Sequence, residues 1–233
     1  MDSVIARLDN SVFSMLESKK APRIKISGIG NPMDINYVNR VRPDYIGLVF
    51  DPEDSSYVDP DVAAELKQSL SPAIKAVGMF KDKEIEDIVS IAEKVQVDLV
   101  ELHGDADNTY INTLRARLHS GIPIIKAFKV ASESDLASLN SSTADYVLID
   151  IGSDTDTGSE KPFDASLLVG ASINKPLFIA GGIRPDNVRR AIHIFNPDAV
   201  DAGSSLDTDG CKDLSKMKKF VSVVRSVSDE FVD

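Results

Sequence analysis

Side chains that can carry protons stand at the ends of several short apolar runs in this sequence. Ser27 closes the first run, and His103 and Asp150 close two later ones. Asp201 lies inside a fourth run. Hydroxyl, imidazole and carboxyl groups are common carriers of protons in enzyme sites. Placed at the ends of strands, they predict an active site built from several separate elements.

Two glycine-containing segments add a second chemical signal. Gly181 and Gly182 follow one apolar run and precede a helical stretch with Pro185 in its first turn. Another such segment follows the last run. Glycines let a backbone approach a ligand closely and turn successive N–H groups toward an anion. We predict a phosphate site here, with plain tight turns as the alternative. The predicted phosphate-binding residues are Gly181, Gly182, Gly203, Ser204 and Ser205.

The elements that must position these groups alternate along the chain from residue 23 onward. Short apolar stretches typical of strands are separated by polar-faced stretches with helical spacing. The predicted strands are Arg23–Ser27, Tyr45–Phe50, Ile74–Phe80, Leu99–His103, Ile122–Phe128, Tyr146–Asp150, Pro176–Ala180 and Ala199–Ala202. The clearest predicted helices are Pro60–Leu70, Glu84–Val95, Tyr110–His119, Pro185–Phe195 and Asp213–Val227.

Eight such alternations predict parallel strands joined by crossover helices, and therefore a compact α/β fold of the (β/α)8 TIM barrel type. In that barrel the loops after strands seven and eight commonly hold phosphate. A doubly wound open sheet is the alternative, but it usually has fewer strands and a dinucleotide-binding glycine fingerprint, which we do not find. No break in composition divides residues 23–233, so we predict one barrel domain.

Residues 1–22 precede the barrel and carry a helical pattern of their own. The apolar positions at helical spacing are Val4, Ile5, Leu8, Val12, Phe13 and Leu16. Acidic residues interrupt this segment, and it has no continuous apolar core, so it is not a secretory signal. We expect an extra N-terminal helix that covers the base of the barrel or a partner subunit.

Alternation along each strand predicts which side chains face the barrel axis, because successive side chains point to opposite faces. If the strongly apolar residues face the helices, the polar ones face inward. The predicted inward set is Lys25, Ser27, Glu101, His103, Lys126, Tyr146, Asp150 and Asp201. Polar inward residues near strand ends indicate an active site. Lys25 and Glu101, deeper in the barrel, can alternatively form a buried ion pair, since buried charges must be paired.

The overall composition excludes some classes of partner. The 233-residue chain has a formal net charge of −11, which argues against nucleic acid and anionic membranes, because both bind basic surfaces. No apolar run approaches the roughly 20 residues that span a bilayer. Cys211 is the lone cysteine, which excludes an internal disulfide and fits a reducing cytoplasm. We expect a cytoplasmic monomer or homodimer that binds a small phosphorylated substrate.

Seven stretches in order along the chain resemble the phosphoribosylanthranilate isomerase family. They are Lys25-Ile26-Ser27-Gly28-Ile29, Asp44-Tyr45-Ile46-Gly47-Leu48-Val49-Phe50, Val100-Glu101-Leu102-His103-Gly104, Leu148-Ile149-Asp150, Gly158-Ser159-Glu160-Lys161-Pro162-Phe163-Asp164, Ala180-Gly181-Gly182 with Pro185-Asp186-Asn187-Val188, and Val200-Asp201 before Ser204 and Ser205. Any one of these stretches is common, but seven in the right order are specific. The resemblance extends from Lys25 to about Lys219.

The resemblance implies a step of tryptophan biosynthesis that needs neither metal nor cofactor. N-(5-phosphoribosyl)anthranilate, a phosphorylated aminosugar, is converted to 1-(2-carboxyphenylamino)-1-deoxyribulose 5-phosphate by an Amadori rearrangement, an aldose–ketose isomerisation. The resemblance also implies that Asp150 is the general acid that protonates the ribose ring oxygen. Position 27 becomes the general base that removes the proton from the sugar C2, and Asp201 supports the base or the substrate amino group. Lys25 is expected to contact the substrate, and His103 either the substrate or neighbouring carboxylates.

Four positions depart from the family pattern. Ser27 replaces the cysteine that acts as the base, and Ser56 replaces an arginine that grips the anthranilate end of the substrate. Glu101 replaces a glutamine, and Glu160 replaces a glycine in the loop after strand six. A serine hydroxyl is far less acidic than a thiol and acts only if a neighbour takes its proton. The strand pattern suggests Lys25 as that neighbour.

These departures leave three functions open. The first is the isomerase implied by the resemblance, with full or reduced activity. The second is a catalytically impaired paralogue that binds a phosphosugar without turning it over. The third is an isomerase of a different phosphosugar on the same barrel.

Overall fold

The computed structural model describes residues 21–119, 121–130, 132–151 and 171–227. Eight parallel strands form a closed barrel in chain order, with the last strand pairing to the first. The strands are β1 Arg23–Ser27, β2 Tyr45–Val49, β3 Lys75–Lys81, β4 Leu99–His103, β5 Ile124–Phe128, β6 Tyr146–Asp150, β7 Leu177–Ala180 and β8 Ala199–Ala202. The predicted barrel is confirmed.

Helices cover the outside of the barrel. Those in the described residues are α1 Pro32–Val41, α2 Pro60–Ser69, α3 Ile85–Val95, α4 Asn108–Arg117, α5 Glu133–Ser141, α6 Val188–Phe195 and α7 Leu214–Ser226. Prolines begin α1 and α2, where a missing N–H removes no helical hydrogen bond. None of the described helices is both long and apolar enough to cross a membrane. Residues 1–20 of the predicted N-terminal helix, and Glu160, lie outside the described residues.

Most element ends differ from the predictions by a few residues, and the start of α6 is the clearest case. Pro185 lies in a turn before the helix rather than in its first turn, because the backbone N–H groups of Asn187 and Val188 both bond to the Arg184 carbonyl. After β8 the chain forms a short 3₁₀ turn at Ser204–Leu206 and then a small hairpin of β9 Asp207–Thr208 and β10 Cys211–Lys212.

The barrel has two separate apolar layers. Side chains between strands and helices form the outer core, and a smaller cluster fills the base of the barrel. The inner cluster consists of Tyr45, Val77, Leu99, Ile125, Leu148, Phe178 and Ala199. Tyr45 and Tyr146 both pack against this cluster's Phe178, with ring centroids 5.7 and 5.6 Å away. Because apolar residues fill the lower part of the barrel, the polar inward side chains lie toward the carboxyl ends of the strands.

One member of the predicted inward set is wrong. In β5 the inner cluster takes Ile125 and packs against Ala127, whereas Ile124 belongs to the outer core. Lys126 therefore points outward, and its ammonium group donates a hydrogen bond to the Gly104 carbonyl. The prediction failed because two isoleucines are adjacent in this strand, so hydrophobicity alone does not say which of them faces the helices.

Candidate active site

A cavity of about 220 Å³ opens at the carboxyl ends of the strands. It collects side chains from β1, β4, β6 and β8 together with both glycine segments. The predicted site residues that line it are Ser27, His103, Asp150, Gly181, Gly182, Asp201, Gly203, Ser204 and Ser205. Lys25 and Ser56 do not line this cavity. Residues more than 170 positions apart in the sequence thus meet at a single site, as closure of the barrel requires.

Ser27 has an acidic partner at the cavity wall. Its hydroxyl donates a hydrogen bond to Asp201 Oδ1 over 2.7 Å. The pairing of β1 with β8 sets Lys25 directly beside Asp201, which carries this carboxylate toward the end of β1. Both Ser27 and Asp201 are buried, with 7% and 5% of their surface exposed. An oxygen of Asp201 is therefore in place to receive the serine proton.

Lys25 is a paired cation and not the proton acceptor that the sequence suggested. Its ammonium group contacts Glu101 Oε2 at 2.5 Å and Asp201 Oδ2 at 2.9 Å. Burial favours the neutral amine, but the negative charges of Asp201 and Glu101 outweigh it and raise the pKa of Lys25. A lysine held in its charged form cannot take a proton. The alternative prediction of a buried ion pair with Glu101 is confirmed. Because Lys25 has no exposed surface, it fixes the two carboxylates from below the cavity.

Glu101 joins this ion pair to the imidazole of His103. Its Oε1 lies 2.8 Å from His103 Nε2, while its other oxygen contacts Lys25. Burial would raise the pKa of Glu101, but the charge of Lys25 and the hydrogen bond from His103 lower it to about 2, from an ordinary value of 4.5. Glu101 is therefore ionised at neutral pH although it is completely buried.

Asp150 ends β6 on the cavity wall. It pairs in register with Ala180, which immediately precedes the first glycine segment. Asp150 is half-buried and lines both the 220 Å³ cavity and a larger neighbouring cavity of about 690 Å³. It therefore borders both the centre that contains Ser27 and the loop that begins at Gly181.

The two glycine segments are held together by side-chain hydrogen bonds. Gly181 and Gly182 have φ angles of 85° and 63°, a backbone conformation that strongly favours glycine. Ser205 Oγ donates to the Ile183 carbonyl over 2.5 Å, which links the loop after β8 to the loop after β7. Asn187 Nδ2 donates to the Gly182 carbonyl over 2.9 Å and fixes the first loop from its own helix end. Sequence reasoning missed this role of Asn187.

Space for Ser27 comes from a glycine that the sequence analysis did not single out. Gly47 on β2 pairs in register with Ser27. A Cβ atom at Gly47 would lie 2.5 Å from Ser27 Oγ and 2.6 Å from Met79 Sδ, far inside normal contact distances. The absence of a side chain at position 47 is thus a condition for the observed position of the Ser27 hydroxyl.

Ser56 lies at the rim of the barrel beside a lysine. A Cβ atom built on Gly28 would be 3.1 Å from Ser56 Oγ and 3.3 Å from Lys212 Nζ. The Lys212 ammonium group also contacts Asp207 Oδ1 at 2.6 Å and the Gly203 carbonyl at 3.3 Å. No motif singled out Lys212, because its position depends on how the small hairpin after β8 folds back over the strand ends.

Comparison with known proteins agrees with this arrangement. Residues 24–223 match the family model described as N-(5'phosphoribosyl)anthranilate (PRA) isomerase. The N-(5'-phosphoribosyl)anthranilate isomerase of Clostridium acetobutylicum is 37% identical over 206 residues, which cover 87% of this chain and 98% of that protein. The crystal structure of phosphoribosyl anthranilate isomerase from Thermotoga maritima has a TM-score of 0.79 at 32% identity, covering 88% of this chain and 99% of that one. A structure of such an isomerase in complex with reduced 1-(o-carboxyphenylamino)-1-deoxyribulose 5-phosphate has a TM-score of 0.76 at 31% identity, with the same coverage.

A closed barrel with acid–base groups and two glycine loops around one cavity is the arrangement of a (β/α)8-barrel enzyme. Within that class, the chain belongs to the N-(5'-phosphoribosyl)anthranilate isomerase family. The seven motifs that resembled this family in the sequence identified it correctly.

Proposed function

We propose that this chain catalyses the isomerisation of N-(5-phosphoribosyl)anthranilate in tryptophan biosynthesis, as a cytoplasmic enzyme that uses only its own acid and base groups. The observation that carries the proposal is the 220 Å³ cavity, which unites the Ser27–Asp201 pair, Asp150 and both glycine loops. Aldose–ketose isomerisation requires an acid, a base and a means of holding the sugar phosphate, and these residues supply groups of each kind.

Asp150 is the proposed general acid. A proton from its carboxyl group passes to the ribose ring oxygen, the bond from that oxygen to the sugar C1 breaks, and the anthranilate nitrogen forms a double bond to C1. The position of Asp150 at the end of β6 supports this role, since it borders the cavity on the side of the Gly181 loop. In the barrel order β6 lies three strands from β1, so the acid and the Ser27 hydroxyl approach the sugar from different sides.

Ser27 and Asp201 together form the proposed base. The serine oxygen takes the proton from the sugar C2 while its own proton moves to Asp201 Oδ1 along the 2.7 Å hydrogen bond. The electrons of the broken C–H bond form a C1–C2 double bond while the electrons of the C1–N double bond return to nitrogen, and the enolamine results. This intermediate then becomes the ketone product when its C2 hydroxyl loses a proton and C1 gains one. A serine with a fixed acceptor can do what an isolated serine cannot.

The glycine loops are the proposed phosphate site. Loops after strands seven and eight commonly bind phosphate in this fold, and the positive φ angles of Gly181 and Gly182 suit backbone N–H groups that turn toward an anion. The bridge from Ser205 to the Ile183 carbonyl keeps the two loops at a fixed separation. Backbone donors held in this way can bind phosphate despite the negative charge of the whole chain.

The anthranilate end of the substrate is proposed to lie toward Ser56 and Lys212. Ser56 lacks the charge of the arginine usual in the family, but the Ser56 hydroxyl and the Lys212 ammonium group both approach the backbone at Gly28. A charge-assisted hydrogen bond from lysine to a carboxylate is strong, although it lacks the two-pronged geometry of arginine.

Growth of a tryptophan auxotroph that lacks this isomerase tests the proposal. We expect the wild-type gene to restore growth without tryptophan, and Asp150→Asn to fail at an equal level of folded protein. Folded wild-type protein that leaves the strain dependent on tryptophan would contradict the proposal and favour a phosphosugar-binding paralogue.

A further inference from the structure

Met79 on β3 lies where the apolar base of the barrel meets the 220 Å³ cavity. Its side chain is partly buried and packs against the inner apolar cluster, and it also lines the cavity beside Ser27. In the barrel order β3 lies between β2, which carries Gly47, and β4, where Glu101 is the partner of Met79 in register. The proposed acid and base chemistry gives this apolar side chain no role of its own.

Met79 and Ser27 share a space that exists because position 47 has no side chain. A Cβ atom at Gly47 would lie 2.6 Å from Met79 Sδ, 2.5 Å from Ser27 Oγ and 3.0 Å from Ser27 Cβ. The sulfur from β3 and the hydroxyl from β1 therefore border one space, here called the Gly47 gap. Protein interiors are close-packed, so an atom that fills part of such a gap limits the movement of its neighbours.

The Gly47 gap and the carboxylate partner of Ser27 belong to opposite neighbours of β1. Gly47 lies on β2, whereas Asp201, which accepts the serine hydroxyl at 2.7 Å, lies on β8. A movement of the hydroxyl deeper into the gap would take it away from this carboxylate. The Met79 sulfur already occupies part of the gap, so it opposes that movement.

The same sulfur also accepts a hydrogen bond from the buried ammonium group of Lys25, with 3.8 Å between nitrogen and sulfur. An ammonium group has three N–H donors, and the other two reach Glu101 Oε2 and Asp201 Oδ2. All three donors of Lys25 thus have partners in the protein. Because Met79 lines the cavity and Lys25 does not, the thioether forms part of the wall between the ammonium group and the cavity.

We infer that Met79 is a positioning residue for the Ser27–Asp201 pair. By filling the Gly47 gap, its thioether keeps the Ser27 hydroxyl within hydrogen-bond reach of Asp201 and keeps water out of the space beside it. Met79 acts through Ser27 and takes no part in proton transfer itself. The role depends on volume, so an apolar side chain of similar size should preserve most of it. This inference deepens the proposed isomerase function and rests on it.

Steady-state kinetics of the full chain with N-(5-phosphoribosyl)anthranilate test the inference. Met79→Ala opens the gap, and we expect its kcat to fall about tenfold, because a displaced reacting group costs rate. Its KM should change by less than about threefold, since the residue acts on the base and not on binding. Met79→Leu refills the gap with a similar volume, so its kcat should stay within about threefold of wild type. Equal losses of kcat in the two variants, or a change in KM alone, would overturn the positioning role.

A double-mutant cycle connects Met79 to the Gly47 gap. In Gly47→Ala the new Cβ atom conflicts with both the sulfur and the hydroxyl, whereas in the Met79→Ala background it has room to shift away from Ser27. Residues that share a space couple, so we expect Gly47→Ala to lower kcat by a smaller factor in the Met79→Ala background than in wild type. The same factor in both backgrounds would contradict a shared gap.

Control variants separate failure of the inference from failure of folding or of the proposed function. Met33→Ala is the matched control, because Met33 is 57% exposed, and it should leave kcat and KM unchanged. If urea unfolding shows that Met79→Ala does not fold, Met79→Val opens part of the gap, and a kcat equal to that of Met79→Leu would overturn the inference. If wild type, Met79→Leu and Met33→Ala are all folded and none converts the substrate, the proposed isomerase function is overturned, and this inference with it.

Discussion

The hydroxyl of Ser27 donates its hydrogen bond to Asp201 Oδ1 at 2.7 Å, between the first and the last strands of the barrel. The two residues are 174 positions apart, and they meet only because β8 pairs with β1. The serine hydroxyl thus meets its carboxylate partner only when the barrel closes. The topology of the fold therefore builds the pair that we propose as the base.

Lys25 should contribute strongly to stability. Lys25→Met leaves Glu101 and Asp201 buried without their shared cation, and we expect the free energy of unfolding to fall by about 3–5 kcal/mol, because removing one partner of a buried ion pair strands the other. Urea unfolding at neutral pH measures the change. Lys81→Met is the matched control: Lys81 is more than half exposed and 4.0 Å from Asp51, so a loss of under about 1 kcal/mol is expected. Equally small losses in Lys25→Met and Lys81→Met would show that the buried ion pair contributes little to the stability of the fold.

Acid should destabilise the fold partly through Glu101. Its folded-state pKa of about 2 lies below its ordinary value of 4.5, so its contribution is fully present above pH 4.5 and is lost as pH falls toward 2. The expected contribution is about 3 kcal/mol. Urea unfolding between pH 5 and pH 2.5 measures it. Other carboxylates titrate in both proteins, so the free energy of unfolding should fall in both. The fall should be shallower in Glu101→Gln than in wild type, because the variant lacks the contribution of Glu101. Parallel curves would mean that Glu101 is not held ionised in the folded protein.

The position of the Ser27 hydroxyl should depend on Gly47. In Gly47→Ala the new Cβ would lie 2.5 Å from Ser27 Oγ, so the serine must move, and displacement of a reacting group by about 1 Å can cost as much as 100-fold in rate. We expect the kcat of Gly47→Ala to be lower than that of wild type by about tenfold or more. Gly30→Ala serves as the control, since nothing lies within 4 Å of its Cβ position. Equal activity of Gly47→Ala and wild type would show that the hydroxyl position is unimportant.

Lys212 should affect substrate binding more than chemistry. Lys212→Met removes the contacts to Asp207 and the Gly203 carbonyl, so the proposed phosphate loop and the proposed anthranilate end of the site both lose support. Steady-state kinetics should show KM raised about tenfold, a charged hydrogen bond being worth roughly 1.5–3 kcal/mol, with a smaller change in kcat. Lys94→Met, which removes an exposed pair with Asp61, should leave both unchanged. A pure loss of kcat would place Lys212 elsewhere in the mechanism.

The sequence was sufficient for features that local patterns determine. The barrel, the glycine segments after β7 and β8, and the inward orientation of Lys25 and Glu101 all follow from alternation along strands and from motif order. The outward orientation of Lys126 did not, because Ile124 and Ile125 gave the strand no clear apolar face.

Long-range contacts could not be predicted in the same way. The partner of Ser27 was taken to be Lys25, its neighbour on the strand, whereas Asp201 comes from the strand that closes the barrel. Lys212 and Gly47 were missed because their importance depends on which side chains approach them in space. The pattern along a strand predicts which of its side chains point inward, but it does not predict which side chains meet across the barrel.

The most direct test of the proposed mechanism is the turnover of purified protein, followed by the loss of substrate fluorescence with N-(5-phosphoribosyl)anthranilate. We expect wild type to convert the substrate, Ser27→Cys to be faster, and Asp150→Asn to lose roughly 100-fold or more, the usual contribution of general acid catalysis. Folded wild type and folded Ser27→Cys that both leave the fluorescence unchanged would contradict the assignment of Ser27, Asp201 and Asp150 as the acid–base machinery of an isomerase.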